Sequence, residues 1–113
     1  MLNQNYHEKV VLQSDTLSSV LSPCSGVIRT LLERNDDSEY AISTTIVAFK
    51  ANSFFDGHVH DSGEEIFVLE GIFSDENGDY PAGTYLRNPD GSKHSPFSKY
   101  GCKLFVKLRQ FNK

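Results

Sequence analysis

A chain of 113 residues can form one domain that buries roughly two-thirds of its unfolded surface, so a core without disulfide staples is expected. A hydrophobic fraction of 38% and a charged fraction of 23% fit a folded globular protein and argue against a disordered one. Fifteen acidic and eleven basic residues leave a net charge of -4 with the basic residues scattered, which argues against nucleic acid as a partner.

Residues 1–14 lack a basic region followed by an apolar core, so no secretory signal is read there. No apolar run approaches the roughly 20 residues that span a bilayer, so no membrane partner is expected and the cytoplasm is the default location. Cys24 and Cys102 show no CxxC or CxxH spacing. Two reduced thiols are the expectation, with a disulfide or an auxiliary metal ligand as the alternatives.

In chain order, residues 1–25 are an N-terminal extension or edge strand, with Val10-Val11-Leu12 inside the candidate strand Lys9–Gln13. The turn cluster Ser22-Pro23-Cys24-Ser25-Gly26 precedes a strand over Val27–Arg34. Glu39–Lys50, rich in Ile42, Thr44, Thr45, Ile46 and Val47, predicts a second strand, and the polar run 35–38 between them predicts a hairpin. Phe54 and Phe55 are candidate core residues. Glu65–Phe73 sets Ile66 and Val68 on one face and Phe67 and Leu69 on the other, which predicts that both faces are covered. Asn77-Gly78 is a hairpin signal. Short strands follow at Thr84–Arg87 and, after Asn88-Pro89-Asp90-Gly91, near His94. The last strand, Cys102–Phe111, alternates Cys102, Leu104, Val106 and Leu108 against an outer row of Lys103, Lys107 and Arg109, with Phe105 interrupting that row. Many short strands with no sustained helical period predict an all-β sandwich or barrel, one domain over 1–113.

The stretch Gly57–Gly71 carries the chemistry. His58 and His60 stand at i and i+2, which puts both on one face of a strand. After a turn containing Gly63 comes Glu64, with Glu65 as a rival carboxylate and Asp61 read as a solvent-exposed turn residue. Imidazoles and a carboxylate suit a divalent ion such as Zn, Fe(II), Mn or Ni. His94 is the candidate fourth ligand, since the remaining histidine, His7, lies in the weakly patterned N-terminus. A buried Glu64 would cost several kcal/mol without a cation, so ion and carboxylate would support each other.

At this point the sequence resembles the cupin superfamily. His58-Val59-His60, Glu64 and Gly71 fit the first cupin motif, although Ala51 or Asn52 stands where its leading glycine is expected. Gly83, Pro89-Asp90-Gly91 and His94 fit the second, with Ser98 in place of the final Asn. Gly63–Tyr85, Arg87-Asn88-Pro89, Ser92–Pro96 and Cys102–Leu108 are similar to the ChrR-type cupin family, strongest over residues 40–111. The resemblance implies a double-stranded β-helix, or jelly roll, with metal ligands at His58, His60, Glu64 and His94, and its register favours Glu64 over Glu65. The family includes sensing domains of anti-sigma factors and proteins similar to acetylacetone dioxygenase.

Two active readings follow with equal weight. One is a metal-dependent enzyme, an Fe(II) dioxygenase acting on a small dicarbonyl-like molecule. The other is a non-catalytic ligand- or stress-sensing module. The roughly 40 residues before the strongest resemblance hold no HxxxC or CxxC pattern, which argues against a direct anti-sigma role. A structural or vestigial site is a third reading, well behind. Tyr85, Arg87 and Phe97 are candidate pocket residues, with core packing or surface placement equally weighted. Phe67, Leu69 and Phe105 could form an outer patch that pairs two copies into a homodimer.

Overall fold

The structure, a computed structural model, describes residues 2–22, 24–35, 41–55, 58–59 and 63–109, and for 58–59 the backbone alone. After a short 3-10 helix (Ser14–Thr16) come strands β1 (Val20–Leu21), β2 (Val27–Arg34), β3 (Ser43–Phe49), β4 (Ser53–Phe54) and β5 (His58–Val59). The chain continues through β6 (Glu64–Asp75), β7 (Gly78–Pro81), β8 (Tyr85–Asn88), β9 (Lys93–His94), β10 (Phe97–Ser98) and β11 (Cys102–Leu108). Nine strands form one curled sheet in the order β1-β2-β3-β11-β6-β10-β4, with β7 and β8 also on β6, and β5 and β9 form a separate pair. No helix among the described residues is long and apolar enough to cross a membrane.

The expected hairpin is present: β2 and β3 are antiparallel from Val27↔Phe49 to Arg34↔Ser43, with a bulge between Leu31 and Glu33. The alternation read in the last strand also holds. Cys102, Leu104 and Val106 are buried and pair with inward positions of β3 and β6. They close a core with Val27, Phe49, Ile66, Val68 and Phe73, in which Phe49 and Phe73 meet edge to face at 5.8 Å.

Strand β6 is the spine. Its first half pairs with β11 and β8, and its second half pairs with β7 and β10. Between the halves Gly71 has φ +73, and a Cβ there would collide with the Gly101 carbonyl oxygen, so only glycine lets the two backbones approach this closely. Cys102 pairs with Gly71 but Leu104 with Val68, and this register shift lets the strand turn.

Several expectations are corrected. Residues 9–13 form no strand, because they have no backbone partner in a sheet, and the edge strand is instead β1 on β2. Phe54 is 61% exposed, since β4 is the outermost strand and turns it outward, whereas Phe55 packs against the core. The outer face of β6 is not fully covered: Phe67 and Leu69 are 42% and 41% exposed, and Val10 and Leu12 share a surface cleft with Leu69 and Phe105. The two-residue turn after β6 is Glu76-Asn77, because Asp75 already pairs with Gly78. The last strand stops at Leu108; residues 110–113, like residues 36–40, lie outside the described residues.

Candidate metal centre

The concave side of the sheet holds a half-open cavity of about 140 Å³, walled by core residues such as Phe49, Ile66 and Leu104. Glu64 opens β6 between β8 and β11, where Asn88 and Leu108 are its register partners. That central position buries its side chain on the cavity side, while Glu65 faces out and accepts a hydrogen bond from the Tyr85 hydroxyl at 2.8 Å. Asn88 Nδ2 donates to Glu64 Oε1 at 3.1 Å, and His94 Nε2 lies 3.3 Å from the same oxygen.

His94 is buried on β9, whose partner β5 sets the backbone of His58 directly across from it. On its other side, Nδ1 lies 4.0 Å from Asp75 Oδ2. Asp75 is buried as well, and its Oδ1 accepts from the Tyr80 hydroxyl at 3.0 Å and from the Asn77 amide at 2.8 Å. Burial alone would lower the His94 pKa. The hydrogen bond to Glu64 and the charges of Glu64, Asp75 and Glu76 outweigh it, so the imidazole titrates above its ordinary value.

The donor set suits a divalent ion. Two ligands each about 2.1 Å from one ion lie about 3.0 Å apart at octahedral angles and about 3.4 Å apart at tetrahedral ones. The 3.3 Å between Nε2 and Oε1 therefore serves a hydrogen bond or a shared ion equally well. Asp75 lies on the Nδ1 side of the ring at 4.0 Å, too far for a hydrogen bond but close enough for its charge to favour the protonated imidazole. Among the described residues no three His, Cys, Asp or Glu side chains gather around one point. His60, Asp61 and the His58 side chain lie outside the described residues, so the structure brings together Glu64 and His94 and the backbone of His58.

Of the candidate pocket residues, Tyr85 and Arg87 are exposed, and Phe97 lines a shallow outer cleft that reaches the other side of His94. Cys24 and Cys102 are free, and burial pushes the Cys102 thiol up. His7 is exposed. Residues not foreseen also reach the site. Asp75 reads as a turn residue in a polar run, yet it closes a strand. Arg29 lines the cavity, and its place between Val27 and Leu31 in the inward row of β2 was a usable signal. Arg109 belongs by alternation to the outer row, but its left-handed backbone (φ +59) puts it on the cavity wall directly after Leu108.

The sequence profile of the ChrR cupin-like domain matches residues 7–112. A comparison with curated protein sequences finds no match. Among solved structures, a putative acetylacetone dioxygenase from Methylibium petroleiphilum PM1 superposes with TM-score 0.78 at 20% identity, covering 94% of this chain and 82% of that one. An acetylacetone dioxygenase from Acinetobacter johnsonii gives 0.72 at 21% identity, covering 89% and 72%. The Rhodobacter sphaeroides complex of SigE with the anti-sigma ChrR gives 0.71 at 18% identity over 85% of this chain, which spans only 51% of that chain's length. The shared fold is the cupin jelly roll, a double-stranded β-helix. With the profile matched from residue 7 to residue 112, the chain belongs to the ChrR cupin-like domain family.

Proposed function

We propose that this protein is a metal-binding cupin whose divalent ion is held by His58, His60, Glu64 and His94. The observation that carries the reading is the buried Glu64–His94 pair at 3.3 Å, with His58 in register across the β5–β9 ladder. Glu64 is buried on a wall rich in apolar side chains, where a carboxylate and a cation at the His94 side support each other. Four protein ligands leave one or two positions for a small molecule bound in the cavity. Zn, Fe(II), Mn and Ni all accept this donor set, and availability rather than affinity order selects among them.

When bound, the ion supplies Lewis-acid or oxygen chemistry next to a pocket of small-molecule size. The enzyme reading is an Fe(II)-dependent dioxygenase-like activity, supported by the fold shared with acetylacetone dioxygenases. The sensing reading has its own support: the His94 ring lies between Glu64 at one end of β6 and Asp75 at the other, so a ligand that shifts the ring alters the surroundings of both ends. A homodimer through the outer face of Phe67, Leu69 and Phe105, and a cytoplasmic location, complete the proposal.

Protein purified without chelators should carry about one ion per chain, and His58→Ala and His94→Ala should each lose most of it. Metal content that is unchanged in both variants sinks the site. Oxygen uptake by Fe(II)-loaded protein with a panel of diketones and oxo acids favours the enzyme. Ligand binding without turnover across that panel favours the sensor.

A further inference from the structure

We propose that the cavity selects a small carboxylate anion and that Arg29 and Arg109 read it. This names the ligand class of the site proposed above, although its footing is the two arginines rather than the ion.

Arg29 and Arg109 are both among the residues that line the cavity of Glu64 and His94. Each has spent one terminal nitrogen on a backbone carbonyl: Arg29 Nη2 donates to Leu21 at 3.3 Å and Arg109 Nη1 to Ala41 at 3.2 Å. Those bonds anchor the planar forks without neutralising them. The Nε of each is shielded from solvent and has no hydrogen-bond partner. No ion pair joins either arginine to a carboxylate among the described residues. A shielded guanidinium N–H without an acceptor is costly, and such a group in a folded protein calls for an explanation.

A carboxylate supplies it. Arginine's fork matches two carboxylate oxygens, and charge-assisted bonds of this kind are about twice as strong as neutral ones. Two arginines against the one lining carboxylate Glu64 give the wall cationic groups to offer an anion, while Asp75 and Glu76 lie behind His94. The chain's net charge of -4 makes these cationic groups a local feature rather than a reflection of the whole surface.

Size restricts the ligand further. A cavity of about 140 Å³ compares with the engineered apolar cavity of about 150 Å³ that binds benzene. The rest of the wall, including Phe49, Phe55 and Leu104, suits a short hydrocarbon end. The ligand class is a short carboxylate with an apolar end, of about six to eight heavy atoms.

Acetoacetate and acetylacetone test this directly, because they match in heavy-atom count and differ in whether one end is a carboxylate or a methyl ketone. Calorimetric titration of the full chain, chelated and then zinc-loaded, should show acetoacetate binding about tenfold or more tighter in both states. Arg29→Gln and Arg109→Gln should each remove about that factor for acetoacetate and leave acetylacetone nearly unchanged. If either Gln variant does not fold, Arg29→Lys and Arg109→Lys take its place. They keep the charge but lose the fork, and acetoacetate should still weaken selectively. Equal binding of the two probes, or arginine variants that bind both as the parent does, overturns the proposal. Arginine-dependent binding in chelated protein holds even if His94→Ala retains its metal, so the ligand class and the metal site fail separately.

Discussion

His94 answers to two opposed demands. Without metal, burial pulls its pKa down, but the hydrogen bond to Glu64 and the surrounding carboxylates pull it up by more. A histidine whose pKa is raised by folding stabilises the fold fully below its unfolded pKa of about 6.5, and that stability is lost as pH rises through the higher folded value. Metal binding runs the other way, because the ion displaces the proton from the ring. The melting temperature of chelated protein should therefore fall from about pH 6 to about pH 8, while the gain on adding zinc should grow over the same range. A gain that shrinks with rising pH would remove His94 from the ligand set. At this scale the sequence was readable where spacing carries the chemistry, as for Glu64 and His94. It was opaque where a local backbone choice redirects a side chain: nothing in Leu108-Arg109 announces a left-handed residue, and Asp75 hides in a polar run whose composition is that of a turn.

The elements are held by backbone approach as much as by side-chain packing. Gly71 and Gly83 both have positive φ, but a Cβ on Gly71 meets the Gly101 carbonyl and the Cys102 backbone, whereas one on Gly83 meets nothing within 4 Å. Gly83→Ala should cost about 1–2 kcal/mol for the left-handed backbone alone. Gly71→Ala should cost about 2 kcal/mol more, because two strands must separate. Urea unfolding of the pair decides it, and equal losses would mean that the contact relaxes freely. The glycine that fits the first cupin motif thus has a physical reason in this chain. Bounding turn residues made β2 legible, β-branched content β3 and alternation β11, while apolar composition alone was a poorer guide. It failed for residues 9–13, where apolar composition has no strand to pair with. It also failed for the outer face of β6, where apolarity does not mean cover.

For the whole molecule, that outer face is the feature without an intramolecular answer. Phe67 and Leu69 stand on β6 and Phe105 stands beside Phe67 on β11, and the segment around Val10 and Leu12 shares a cleft with Leu69 and Phe105 while Phe67 and Leu69 stay exposed. Exposed apolar side chains gathered on one sheet face mark an association surface. The proposed homodimer predicts that the chain sediments at twice its monomer mass and that Phe67→Lys or Phe105→Lys returns it to a monomer. A parent chain that sediments as a monomer at every concentration sinks that assignment.

Strand β6 holds the last consequence. Fully extended, its 12 residues would set their end Cα atoms roughly 36 Å apart. Yet Glu64 at one end and Asp75 at the other reach opposite nitrogens of one imidazole, at 3.3 Å and 4.0 Å. The strand is bent back on itself so far that one imidazole lies between its two ends. A substitution at either end therefore changes the surroundings of the same ring.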